Sequence, residues 1–285
     1  MQLLKHSSGF RKTDTVTELK GKSVIITGGS KGIGRETARM FIEAGARVAI
    51  TGRSAEALEK TRKELETSSS SIISVVADVS KEEDCRRTVD TVIAEMGCID
   101  ILINNAGMSA RGLFSESSIG LYQTLLEINF LGPVMMSRLC LEEIRRNKGS
   151  IVFISTLASL KGIPGLSHYS SSKMPLTAFS ESIRGELKKD GVHISIIYVG
   201  FTGNDPDKTI YDSRGNRVPL KRGKNNLTQQ DVASAIVKAV TRRKEIITLS
   251  TLGKLAAFSY RFFPRLSELV LAKQALKSPQ YKEQA

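Results

Sequence analysis

The amino-acid sequence predicts an α/β fold, a doubly wound parallel sheet with helices on both faces. Three observations carry this. Short apolar runs alternate with longer helical segments along most of the chain. The runs are apolar at nearly every position rather than at every second one, as strands covered on both faces must be. The first run also stops at a glycine cluster that opens a helix, at the strand ends where such sheets hold ligands.

In order, Lys22–Thr27 is a β-branched run feeding a tight turn, and Gly32 opens a helix to about Ala44 that Gly45 ends. Val48–Thr51 is the next strand, and Ser54–Ser68, rich in Glu and Lys, the next helix. A strand at Ile72–Ala77 closes on Asp78-Val79-Ser80, and a helix over 81–96 leads to the strand Ile99–Ile103. A long helical stretch, 118–146, precedes the strand Ser150–Ser155, and a further helix runs through Lys189 to the strand His193–Val199. Residues 200–228 are polar and broken by Gly203, Pro206, Gly215, Pro219 and Gly223, the composition of a loop. The helix Gln229–Thr241 and the apolar run Glu245–Leu249 complete the alternation. No repeat or linker divides it, so 21–250 is expected to be one domain, with an extension at 1–20 and a tail at 251–285.

The chain has 285 residues, 40% hydrophobic and 25% charged, the balance of a protein with a real core. Cys85, Cys98 and Cys140 are scattered without disulfide or metal-ligand spacing, which fits a reducing compartment. No apolar run reaches the ~20 residues of a membrane span, and the first residues lack the apolar stretch of a signal peptide, so the cytoplasm is the default location. The net charge is +13, concentrated at 1–23, 207–226 and 242–285 around a neutral middle. A nucleic-acid binder would show a basic stripe interleaved with stacking aromatics, so that role is not expected. The flanking charge reads either as solvated surface or as attraction to anionic lipid or acidic substrates.

Tyr169 and Lys173 stand four residues apart and share a face if their segment is helical. A phenol titrates near pH 10 and is a poor acid or base at neutrality, but an adjacent ammonium favours its phenolate and draws it toward the working range. The pair reads as an acid/base device, weak alone because the spacing is common. Upstream, Thr27-Gly28-Gly29-Ser30-Lys31-Gly32-Ile33-Gly34 sits between a strand and a helix, where glycines admit a pyrophosphate to backbone N–H groups at a helix N-terminus. An NAD site usually has an acid at the end of the second strand. Here the residues are Thr51-Gly52-Arg53-Ser54, and Lys31 adds a cation nearby, so NADP(H) is the expected cofactor. The plain alternative is that Arg53 and Lys31 are only exposed charges.

With these motifs in hand, the chain resembles the short-chain dehydrogenase/reductase family from about residue 20 to 250. Thr27-Gly28-x-x-x-Gly32-x-Gly34 is similar to the family's cofactor turn, and Asp78-Val79 to its adenine-contacting pair. Asn104-Asn105-Ala106-Gly107 resembles the motif beside the cofactor on the central sheet. Asn129 stands at the place of a helix-distorting asparagine that holds a proton-relay water, and Tyr169 and Lys173 at the catalytic pair. The family's serine falls at Thr156, whose hydroxyl can still donate to a carbonyl oxygen; Ser155 is the runner-up, pointing to the opposite face of its strand. The family's Pro-Gly after the sixth strand reads Val199-Gly200, its later threonine falls at Asn204, and Thr202 comes two residues early.

The resemblance implies a Rossmann-type fold, hydride transfer between nicotinamide and a carbonyl carbon, and a homodimer or homotetramer. Thr156 would polarise the oxygen, Tyr169 would protonate it, Lys173 would hold the nicotinamide ribose, and Asn129 would link Lys173 to solvent. Residues 200–228 would form the substrate lid, whose Lys221-Arg222-Gly223-Lys224 is either a solvated tip or a greeting for an anion. His168 is expected to be structural, and His6 and His193 have no metal-like partners.

In the tail, Leu252, Leu255, Phe258, Phe262, Leu266, Leu269 and Val270 recur at helical spacing among Lys254, Arg261, Arg265 and Lys273, and Pro264 should split the segment into two helices. Such a face either lies in a membrane interface or packs on protein. The expected function is an NADP-dependent oxidoreductase of a ketone or secondary alcohol, with a lipid- or steroid-like substrate. The alternatives are a reductase of a polar anionic carbonyl, such as an acyl thioester or sugar, and a non-catalytic NADPH sensor.

Overall fold

The computed structural model describes residues 18–67, 71–200, 202–203, 209–219 and 227–275. Seven parallel strands form one sheet: β1 (Ser23–Thr27), β2 (Arg47–Gly52), β3 (Ile72–Val76), β4 (Ile101–Asn104), β5 (Ser150–Thr156), β6 (His193–Val199) and β9 (Ile246–Thr248). Their order is β3-β2-β1-β4-β5-β6-β9. The chain winds outward from β1 in one direction and, from β4 on, in the other. That reversal leaves a crevice between β1 and β4 at the strands' carboxyl ends, because the crossovers leave on opposite faces. The fold is Rossmann-like, as predicted.

The helices are α1 (Gly32–Glu43), α2 (Ala55–Leu65), α3 (Glu82–Met96), α4 (Ile119–Leu126), α5 (Gly132–Arg146), α6 (Ser167–Lys173), α7 (Pro175–Leu187) and α8 (Gln229–Thr241). After β9 come α9 (Thr251–Phe262) and α10 (Pro264–Ala275), divided at Pro264 as its missing N–H requires. Alternate side chains of each strand feed two cores. On β1, Val24 and Ile26 pack with Phe41, Val232 and Ile236 on one face, while Ile25 packs with Val89, Val92 and Phe153 on the other. Burial on both faces explains why the strands read as unbroken apolar runs.

The structure differs from the predicted elements in three places. The stretch 118–146 is interrupted by a π turn, Glu127–Leu131, between α4 and α5. This stretch is long and apolar enough to cross a membrane by length and hydropathy, contrary to the expectation that no such run exists. Its apolarity has an interior cause: Leu125, Ile128, Met136, Cys140 and Ile144 are buried in the protein's own core. The helix expected to run through Lys189 breaks at Met174, where Pro175 starts α7 afresh. The segment expected to be the lid contains a hairpin, β7 (Thr209–Tyr211) with β8 (Arg217–Pro219), that the loop composition hid. Asp212 forms its turn by accepting from the N–H groups of Arg214 (3.0 Å) and Asn216 (2.8 Å). The basic lid tip 221–224, Asn204, His6 and the extension up to residue 17 lie outside the described residues.

Candidate active site

A cavity of about 700 Å³ opens along the carboxyl ends of β1, β2, β4, β5 and β6. Its floor is the glycine turn. Gly28 and Gly32 have φ of +65° and +58°, a backbone region that residues with a Cβ rarely enter. A Cβ at Gly34 would lie 2.2 Å from the Gly28 carbonyl oxygen, so α1 can start hard against the turn only without a side chain there. That start has no side-chain cap and no acid in its first turn. Its N–H groups and the positive end of its dipole thus face the cavity, an arrangement that suits phosphate.

The turn is clamped from β4. The Asn105 side chain donates to the carbonyls of Thr27 (2.8 Å) and Gly28 (3.1 Å). In return the Thr27 hydroxyl accepts from the N–H groups of Asn105 and Ala106, both at 3.0 Å. Thr27 does not line the cavity; it holds together two segments that do. Ser30, Lys31, Ile33, Ala106 and Gly107 all line it.

At the end of β2, Arg53 lines the cavity and Ser54 does not. Ser54 is the N-cap of α2, its hydroxyl accepting from Ala57 N–H at 3.2 Å. Among the described residues neither Arg53 nor Lys31 is ion-paired with a carboxylate. Asp78 lines the cavity beyond β3 beside Val79. Its carboxylate accepts from the N–H (3.0 Å) and hydroxyl (2.8 Å) of Ser80.

Tyr169 and Lys173 both lie on α6 and both line the cavity. Lys173 is buried to 4% exposure, and its ammonium donates to the Ile154 carbonyl at 3.0 Å. His168 is fully buried with Nδ1 accepting from Tyr169 N–H at 2.9 Å, and burial lowers its pKa. It sits at the start of α6 and does not line the cavity.

Asn129 sits in the π turn, fully buried, and does not line the cavity. Its Oδ1 accepts from Met108 N–H, and its Nδ2 donates to the Met108 carbonyl, both at 2.8 Å, and to Ser172 Oγ at 2.9 Å. Both amide hydrogens are thus committed to the protein. A Cβ on Gly107 would meet Asn129 Oδ1 at 3.0 Å and Lys173 Nζ at 3.1 Å, so these two groups converge on that glycine.

Ser155 and Thr156 end β5 and both line the cavity. Ser155 Oγ is paired with Ser159 Oγ at 2.8 Å, and Ser159 also donates to the Thr156 carbonyl at 2.6 Å. Thr156 Oγ1 accepts a long bond, 3.3 Å, from Ala158 N–H, which leaves its own proton for donation. Val199, Gly200 and Thr202 line the opposite side, where Thr202 Oγ1 lies 3.4 Å from the Gly200 carbonyl.

Several lining residues were not anticipated, among them Met108, Ser109, Thr209, Arg217 and Gln229. Arg217 comes from β8 and sits 6.0 Å from the Tyr211 ring centroid. The flanking Ile210 and Val218 around an Asp-Ser-Arg-Gly-Asn turn were the signal that this segment folds back on itself. Among the described residues no cluster of acids, histidines or cysteines is placed to hold a metal.

The family model described as short chain dehydrogenase matches residues 22–214. The chain belongs to that family. It is 31% identical over 278 residues to dehydrogenase/reductase SDR family member 7B of Rattus norvegicus, covering 94% of this chain and 86% of that one. It is 34% identical over 240 residues to 11-beta-hydroxysteroid dehydrogenase 1A of Arabidopsis thaliana, covering 81% and 68%. A solved dehydrogenase/reductase from Sinorhizobium meliloti 1021 has the same fold, with a TM-score of 0.73, 24% identity and coverage of 84% of this chain and 98% of that one. The chain is therefore an oxidoreductase acting between CH–OH and C=O groups with a nicotinamide cofactor.

Proposed function

We propose that this short-chain dehydrogenase uses NADP(H) to interconvert a lipophilic ketone and its secondary alcohol, with Tyr169 as the proton donor. The observation that carries the reading is Tyr169 and Lys173 on one short helix, lining together with Thr156 a cavity whose floor is built for phosphates. When bound, the cofactor supplies or accepts the hydride at the carbonyl carbon; all else falls to the chain. The cradle fits it: the uncapped start of α1 and the close approach at Gly34 leave room for a pyrophosphate and none for a side chain. Arg53 and Lys31 favour a 2′-phosphate, since no acid stands at the end of β2.

Thr156 donates to the substrate oxygen through the proton its long bond to Ala158 leaves available, whereas Ser155 is occupied with Ser159. Tyr169 gives that oxygen its proton as the alkoxide forms, and the Lys173 charge favours the resulting phenolate. Lys173 is held by the Ile154 carbonyl, and Asn129 fixes the segment around Gly107 against which it packs. Val199 and Gly200 offer backbone groups to the nicotinamide side. Homodimer or homotetramer assembly and contact of the tail with a membrane belong to the same reading. The relatives named as 11-beta-hydroxysteroid dehydrogenases favour a steroid-like substrate over a polar one.

The test is oxidation of NADPH, followed at 340 nm (reduced nicotinamide absorbance), across carbonyls from sugars and acyl thioesters to steroids and long-chain ketones. Parallel runs use NADH and Tyr169→Phe. Turnover should be confined to NADPH and fall by about 10²–10⁴-fold in the variant with NADPH affinity kept. Turnover of Tyr169→Phe close to wild type would sink the assignment. Tight NADPH binding with no turnover of any carbonyl would favour the sensor reading.

A further inference from the structure

The tail helices are inside out for a water-facing surface. On α9 and α10 the small and polar residues turn inward. Gly253 and Ser267 are buried, and the hydroxyls of Ser259 and Ser267 pair at 2.6 Å where the two helices meet. The large apolar residues turn outward: Leu252, Leu255, Phe258, Phe262, Leu266 and Leu269 are each at least 54% exposed. Phe258 stands 4.6 Å from Phe262 and 6.3 Å from Phe263, ring centroid to centroid, and the Arg261 guanidinium lies 5.9 Å from the Phe262 ring, yet both Phe258 and Phe262 stay more than half exposed. A tail evolved to close its own domain would present the opposite face.

The charge around this face narrows what covers it. Residues 251–275 hold four cations, Lys254, Arg261, Arg265 and Lys273, against one carboxylate, Glu268, which lies 3.6 Å from Lys161. Two copies meeting through this face would bring like charges together, whereas a phosphate-bearing lipid surface complements them. The position of the helices matters too. Leu157 follows Thr156 directly, and its side chain reaches both Gly253 on α9 and Gly200 in the cavity wall, with ideal Cβ positions 3.2 and 3.6 Å from Leu157 Cδ1.

We infer that α9 and α10 form an interfacial hairpin that docks the enzyme on an anionic bilayer, with Leu252, Leu255, Phe258 and Phe262 entering the acyl boundary and Arg261 and Arg265 meeting lipid phosphates. The consequence for catalysis rests on the substrate class proposed above: docking sets the Leu157 side of the cavity against the membrane, so that a lipophilic carbonyl arrives from lipid rather than from water.

The experiment is co-sedimentation of the full chain with phosphatidylcholine vesicles, with and without phosphatidylserine, at low and high salt. Sedimentation velocity without vesicles and turnover of a water-soluble carbonyl run alongside. The wild type should bind the anionic vesicles at least about tenfold more tightly than the neutral ones and lose that preference in salt. Phe258→Ser with Phe262→Ser, and separately Arg261→Glu with Arg265→Glu, should each weaken binding by about tenfold or more while solution turnover stays. Because the charge pair leaves the apolar face intact, it remains informative if the serine pair misfolds. Failure of the wild type to bind anionic vesicles at low salt would overturn the proposal. So would an oligomer that both variants dissociate while vesicle binding is absent. Vesicle binding is read without any substrate, so a wrong substrate class cannot be mistaken for a wrong docking surface.

Discussion

Gly34→Ala is the sharpest test of the phosphate cradle, because the structure fixes how much room one methyl group lacks. The added carbon would lie 2.2 Å from the Gly28 carbonyl oxygen and 2.7 Å from Asn105 Nδ2. Close carbon–oxygen contacts in proteins settle near 3.3–3.6 Å, so the turn must retreat by roughly 1 Å. The atoms in the way are backbone and a clamped amide, and Asn105 cannot retreat without losing its bonds to Thr27 and Gly28. A 1 Å displacement of a positioned site costs about 10²-fold, so the NADPH dissociation constant should rise about 10²-fold, or about 2.7 kcal/mol. Overpacking should take a further 1–3 kcal/mol or so from stability, partly offset by the roughly 1 kcal/mol that alanine gains over glycine in a helix. Fluorescence titration with NADPH reads the first quantity and a thermal melt the second. Gly120→Ala is the control, since a Cβ there meets nothing within 4 Å. A folded Gly34→Ala protein that binds NADPH within about twofold of wild type would refute the cradle.

Arg53→Ala should weaken NADPH binding by about 10- to 100-fold, the loss of a hydrogen bond to a charged group, and leave NADH binding unchanged; equal losses for both would remove Arg53 from the 2′-phosphate site. Asn129→Leu should cost about 3 kcal/mol in a denaturant melt, because Met108 loses the partners of its N–H and carbonyl and Ser172 loses a buried one; an unshifted midpoint would contradict that accounting. His193 is 5% exposed, and burial, its largest influence, pushes its pKa down to about 4 from an ordinary value near 6.5. Between those values the unfolded chain binds the proton and the folded one does not, so this histidine's contribution is complete above about pH 6.5 and is lost as pH falls toward 4. The full effect is at most about 3 kcal/mol, and His193→Gln should flatten the fall in melting temperature across that window.

Most of the sheet was legible because its strands obey one rule. Residues such as Val24-Ile25-Ile26 are buried on both faces, so every position is apolar and the run stands out from its surroundings. The glycine turn was legible for a different reason: Gly34 is where a side chain has no room, and such a constraint leaves its mark on residue identity. The clamp around it was not. That Thr27 and Asn105 bond reciprocally across 78 residues is a fact of topology, and nothing local in either segment announces its partner. The π turn was legible only through the resemblance, which marks Asn129 as helix-distorting; periodicity alone reads 118–146 as one helix, because the irregularity serves Asn129's bonds to Met108 on another loop.

The tail shows where periodicity stops being informative. Spacing of Leu252, Leu255, Phe258 and Phe262 establishes that they share a face, but a helix rotated half a turn has the same spacing. Only packing decides which side turns inward, and here the inward side took Gly253, which lets Leu157 approach, and Ser267, which bonds Ser259. The outcome is costly in water. Fully burying a leucine or phenylalanine is worth about 1.5–3 kcal/mol, so six such residues left outside forgo roughly 10 kcal/mol, as much as the net stability of a typical domain. The Ser259–Ser267 bond, the Lys161–Glu268 pair and the approach of Leu157 to Gly253 do not offset a loss of that size by themselves. The docking proposal supplies the apolar phase that would recover this loss, and the cations along the face fit a lipid headgroup layer better than a second copy of the same positive surface.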